Sequence, residues 1–129
     1  MGGDGFRFAA PAGWQVTGSA ASSGAVNRVE VVTFRLARRY EHARLAAAIR
    51  ELDRTAASLA SQLDGTVTGR ATRRVAGHDA RAYTITFGRK VEEITFVLAG
   101  SREYQLLCRR PVSGDAAACQ ELVSSFALV

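Results

Sequence analysis

The chain is poor in the residues that carry chemistry. It has two histidines, two cysteines, one tryptophan and one methionine in 129 residues. His42 and His78 stand far apart, so histidine, cysteine and carboxylate do not meet at ligand spacing and no first-row metal site is expected. No serine sits in a Gly-x-Ser-x-Gly elbow, and the aspartates form no calcium loop. No glycine-rich phosphate loop opens a helix: Gly2-Gly3-Asp4-Gly5 is terminal, and Gly65-Thr66-Val67-Thr68-Gly69 lies between a helix and a strand. Glu92 and Glu93 adjoin within a strand pattern and therefore point to opposite faces, which prevents a paired-carboxylate site. The expectation is a protein that is not an enzyme, with no catalytic residue, no metal and no cofactor.

Long hydrophobic runs are missing too. Ile94 to Ala99 has strand length, far below the roughly 18 residues of a membrane span. Lysine is almost absent: Lys90 is the only one, and the other basic residues are arginine. The net charge is +5, with a pI of about 10.0. The arginines are spread through every segment, which describes a solvated mixed surface and not a nucleic-acid site. One local gathering stands out: Arg70, Arg73, Arg74 and Arg81 are placed to meet on adjacent strands as an anion-contact surface.

What is present is enough for one globular domain spanning residues 1–129, with 47% hydrophobic and 22% charged residues. Residues 1–4 read as a flexible tail, followed by short strands around Phe6-Arg7-Phe8 and Trp14-Gln15-Val16. Residues 17–26 are small and polar and read as a mobile loop. Asn27 to Leu36 alternates as a central strand. From Tyr40 to Leu63, Leu45, Ile49, Leu52, Ala56, Leu59 and Leu63 recur on a 3.6-residue period. This predicts a helix about 34 Å long that crosses the sheet, with Gly65 as its stop. Segments near 66–75, 80–87, 91–98 and 103–108 alternate and turn at regular intervals, an antiparallel meander. Gly77-His78-Asp79 reads as one of its turns. A short helix over 113–125, with Ser113 as N-cap and Asp115 near its positive end, closes the chain. The predicted class is α+β: an antiparallel sheet of about six strands, a long helix packed across it, and a shorter C-terminal helix.

Cys108 ends a strand pattern and Cys119 lies early in the second helix. Even number, short separation and a strand–turn–helix context favour a disulfide over two buried thiols. A bridge would set the compartment outside the cytoplasm. The opening residues carry no signal peptide. A cytosolic chain would start this way, and so would one cut behind a signal peptide or lipid anchor.

Several short motifs resemble a known family. They are Gly5-Phe6-Arg7-Phe8-Ala9-Ala10-Pro11-Ala12-Gly13-Trp14, the helix of 40–63, Arg74-Val75-Ala76-Gly77-His78-Asp79-Ala80-Arg81-Ala82-Tyr83, Tyr104-Gln105-Leu106-Leu107-Cys108 and Ser124-Ser125-Phe126. Together they resemble the PsbP-like fold, an α/β/α sandwich. Its members include the oxygen-evolving subunit of photosystem two, a Ran-binding nuclear-import factor and bacterial lipoproteins of the LpqN type. The resemblance implies a non-catalytic binding, assembly or accessory protein and carries over no catalytic residue. The function expected is an extracytoplasmic binding domain, the soluble part of a bacterial lipoprotein. It would hold a protein partner or a small apolar ligand, and meet a membrane only through a lipid anchor lying outside this sequence. The alternative is a cytosolic chaperone or adaptor that holds a partner peptide. The loop 17–26 and the turn at 77–79 are the first surfaces to consider, because function collects on loops.

Overall fold

The structure, a computed structural model, describes residues 2–3 and 5–129. Met1 and Asp4, the rest of the predicted tail, lie outside the described residues. The fold is α+β, as the hydrophobic periodicities predict, with two antiparallel sheets. The strands are β1 (Gly2–Gly3), β2 (Phe6–Arg7), β3 (Gln15–Thr17), β4 (Ala20–Ser23), β5 (Asn27–Arg35), β6 (Thr66–Val75), β7 (His78–Phe87), β8 (Lys90–Ala99), β9 (Arg102–Pro111) and β10 (Ala127–Leu128). The helices are α1 (Leu45–Gln62), entered through a 3-10 turn at His42–Arg44, and α2 (Ala117–Ser125). The large sheet has seven strands in the order β3-β4-β5-β9-β8-β7-β6; β1, β2 and β10 form a small one of three.

Because side chains alternate across a pleated strand, the register sorts the large sheet into two faces. One face carries transverse rows such as Arg70–Tyr83–Ile94–Leu107–Glu30 and Thr72–Arg81–Phe96–Gln105–Val32. The other carries Ala71–Ala82–Thr95–Leu106–Val31 and Arg73–Ala80–Val97–Tyr104–Thr33. Each face has its own core and its own helix. On the first, Leu52, Ala56 and Ala60 of α1 pack on Tyr83, Ile85, Ile94, Phe96 and Leu98. On the second, Cys119 and Leu122 of α2 pack on Val29, Val31, Leu106 and Cys108, beside an aromatic group of Phe6, Phe8, Tyr104 and Phe126. In that group the Tyr104 and Phe126 ring centres are 5.5 Å apart, and Phe6 lies 6.0 Å from Tyr104.

Several sequence expectations are corrected. The predicted tail contributes β1, which pairs with β2, which in turn pairs with β10. The predicted loop 17–26 holds β4, whose Ala20 and Ala21 are buried against β5; alanine is small enough to bring this strand close, and that left no apolar bulk to read. The first helix does not run from Tyr40 nor cross the whole sheet: α1 has 18 residues, about 27 Å, and lies over the β6–β8 end. Its contact stripe runs through Leu52, Ala56 and Ala60, while Leu45 and Ile49 stay half-buried at its side. The helix ends with Asp64 in the left-handed region (φ 54°) and the Gly65 N–H on the Ala60 carbonyl at 2.8 Å. Gly65 is needed for space, since a Cβ there would stand 2.7 Å from the Thr86 carbonyl oxygen. The turn between β6 and β7 is Ala76-Gly77, both with positive φ, so His78 and Asp79 belong to the strand. The second helix starts at Ala117, where the Asp115 carboxylate, not Ser113, accepts the Ala117 N–H at 2.9 Å.

Candidate functional site

Two helices on opposite faces each cover about half of the large sheet, and they cover different halves. The half left open beside α1 carries long charged side chains around a cleft of about 260 Å³. Glu92 holds Arg109 at 3.0 Å, Glu30 holds Arg28 at 3.2 Å, and Arg109 stacks on the Phe87 ring at 5.0 Å. Phe34 lies in the open, 46% exposed. The half left open beside α2 is the deeper one. There the rows end in Gly69, Ala71, Ala82, Thr84 and Thr95, side chains too short to fill the height of the helix layer. The result is a cleft of about 500 Å³ between α2 and the β6–β8 half of the sheet.

The cleft has a wall and a rim of distinct character. Cys119, Gln120 and Val123 of α2 form the wall. The Cys108–Cys119 disulfide anchors that wall to β9, with Cα atoms 5.4 Å apart. Ala82 and Thr95 form the floor, the latter buried with no polar atom left unsatisfied. Glu93 enters from β8 and is neutralised by Arg110 at 3.3 Å. Arg70 and Arg73 stand at the rim on β6.

The four arginines expected to gather do not form one surface. Arg73 faces the cleft side; Arg70 is on the α1 face by register and reaches the cleft rim from the sheet's edge. Arg74 and Arg81 lie on the α1 side and are spent on structure. Arg81 donates to Asp53 of α1 at 3.2 Å and to the Thr72 hydroxyl at 3.0 Å. Tyr83 also donates its hydroxyl proton to Asp53. That bond, first, and then the Arg81 guanidinium hold the Asp53 carboxyl below the usual carboxylate range. Burial and the facing carboxylate push the Tyr83 hydroxyl up to about 12. These contacts fasten the middle of α1 to β7.

A second group was not legible in the sequence. Asp79 is 6% exposed and accepts three donors: Tyr40 Oη at 2.6 Å, His42 Nδ1 at 2.6 Å and Arg74 Nη1 at 2.9 Å. His42 is 78% exposed, but its ring is oriented by a buried carboxylate. The Tyr40 hydrogen bond, followed by those of His42 and Arg74, draws the Asp79 carboxyl down to about 2 despite its burial. Burial and Asp79 together raise the Tyr40 hydroxyl above its ordinary value. A carboxylate so fully engaged is a poor proton acceptor. The group acts as a clamp that ties the segment before α1 to the β6–β7 turn. The tyrosine–aspartate pairing spans 39 residues, so no local motif announces it.

Among the described residues no three His, Cys, Asp or Glu side chains gather to hold a metal ion. None of the described helices is long and apolar enough to cross a membrane.

These features define the protein by fold: an antiparallel α+β sandwich with two helices staggered across a seven-stranded sheet. No family model matches the chain, and no curated protein is significantly similar to it. Among solved structures, a crystal structure from Bacteroides thetaiotaomicron VPI-5482 is similar, with a TM-score of 0.66 at 11% identity. The match covers 100% of this chain and 47% of that one, so the chain spans about half the length of its structural neighbour. A likeness at this identity is one of fold alone.

Proposed function

We propose that the chain is a non-enzymatic, extracytoplasmic binding or accessory domain of the PsbP-like kind, the soluble part of a bacterial lipoprotein. The cleft between α2 and the β6–β8 half of the sheet is its binding site, for a protein segment or a small apolar ligand. The observation that carries this reading is the contrast between the sheet's two open halves. One is filled with long charged side chains and leaves a cleft of about 260 Å³; the other ends in glycine, alanine and threonine and leaves about 500 Å³. A concave site with an apolar floor and a few polar groups at its edge is the usual form of a ligand pocket. The Cys108–Cys119 bridge supports the compartment, because such bridges persist in oxidising surroundings.

The cleft is tested with 1-anilinonaphthalene-8-sulfonate, an apolar probe bearing one anionic group. We expect saturable binding at one site per chain, weakened by at least about tenfold in Ala82→Leu, whose added bulk rises from the floor. Probe binding unaffected by Ala82→Leu, in a variant that keeps the wild-type circular dichroism, rules the cleft out. The compartment is tested by intact mass of protein purified from its native cells. A gain of about 2 Da on reduction is expected; reduced thiols from the outset favour the cytosolic adaptor.

A further inference from the structure

β6 closes the large sheet at one end: β7 pairs with it on one side, and among the described residues no strand pairs with its outer edge. It is ten residues long, whereas β3, the strand at the opposite end, has three. An unpaired edge of that length exposes a row of backbone donors and acceptors, which another extended chain can use. Three features of β6 decide which chain. It carries Arg70, Arg73 and Arg74, all exposed. Arg74 is held by Asp79, but neither Arg70 nor Arg73 forms an ion pair among the described residues. The strand is also bulged at Thr68, between the registers of Val67 and Gly69, which leaves the stretch from Gly69 to Val75 as its regular part.

Edge-to-edge pairing with a second copy would bring these arginines together, and like charges across a strand pair are destabilising. The same charges favour a strand with carboxylates. An added strand would continue the sheet past β6, with Arg73 and the cleft on one of its faces and Arg70 on the other. We propose that the outer edge of β6 docks an extended acidic segment of a partner protein as an additional strand, with one carboxylate beside Arg70 on one face and another beside Arg73 on the opposite face. This rests on the reading of the protein as a binding domain and names its class of partner.

The test uses the whole chain and an N-acetylated, C-amidated octapeptide of Thr and Val with Glu at two positions three apart, the spacing of Arg70 and Arg73, so that its two carboxylates fall on opposite faces; binding is followed by amide chemical shifts. A second peptide has Lys in place of Glu. A third is the acidic one with alternate backbone nitrogens methylated, which removes the ladder hydrogen bonds and keeps the charge. The acidic peptide should bind saturably, shift the amides of β6 and weaken as salt is raised. The Lys peptide and the methylated peptide should bind at least about tenfold more weakly. In the R70E/R73E variant the preference between the Glu and Lys peptides should reverse. Should that variant lose its native spectrum, R73A alone should still weaken the acidic peptide. Equal binding of the acidic and methylated peptides, or no saturation at millimolar peptide, overturns the proposal. Shifts confined to α2 and the cleft floor also overturn it while leaving the cleft itself a binding site.

Discussion

Asp79 shows how one buried side chain sets a measurable property. Its folded-state pKa of about 2 lies below its ordinary 3.8, so protons bind the unfolded chain more readily. The stabilisation is therefore fully present above about pH 4 and is lost as pH falls through about 2. It amounts to roughly 2 kcal/mol, the free-energy equivalent of that shift. Asp79→Asn should lower stability by about that amount at neutral pH and flatten the acid limb between pH 4 and 2. Urea melts across that range, wild type against variant, measure both effects. An unchanged acid limb would mean that Tyr40, His42 and Arg74 do not hold the carboxylate as described.

Among elements, α1 and α2 are held to the sheet by different means. α1 approaches through small residues, Ala56 with no exposed surface and Ala60 nearly so, and is then fastened by the Asp53–Arg81 and Asp79–Tyr40 contacts. Close approach leaves no room for growth: Ala56→Leu should overpack the interface and cost about 1–3 kcal/mol, seen as a lower melting temperature. α2, with nine residues, is too short to be stable alone and depends on Leu122, Phe126 and the bridge to β9. Replacing Cys108 and Cys119 together by alanine should cost about 2–4 kcal/mol in denaturant titration. Loss of the bridge should also loosen the cleft wall, so amide exchange in α2 should rise more than in β7 or β8. Exchange that rises uniformly would show the bridge acting on the unfolded chain alone.

The molecule as a whole is one sheet with two helices offset on opposite faces, and its candidate sites follow from that offset. Where each helix stops short, the sheet leaves a cleft, the smaller one lined by charge and the larger one floored by short side chains. The strands and helices were legible because alternation and the 3.6-residue period are properties of neighbours in the chain. The strands from Thr66 to Pro111 and the stripe through Leu52 and Ala56 are cases in point. β4 was missed because alanine and serine carry too weak a hydropathy signal to mark a buried strand. The bridge between Cys108 and Cys119 was within reach because only 11 positions separate them. The anion surface was half legible: the four arginines do sit on β6 and β7, but their facing depended on the Thr68 bulge and on which carboxylates α1 would present.

By itself, then, the order of residues determined the fold class, the long helix, the meander and the oxidisable pair, all written in short-range spacing. Tertiary structure alone decided which half of each face stays bare, that Tyr40 and His42 converge on Asp79, and that β6 ends the sheet. The physical reason is that those outcomes depend on which distant segments share a face and how far a helix layer extends. Packing settles both, and no local pattern encodes either.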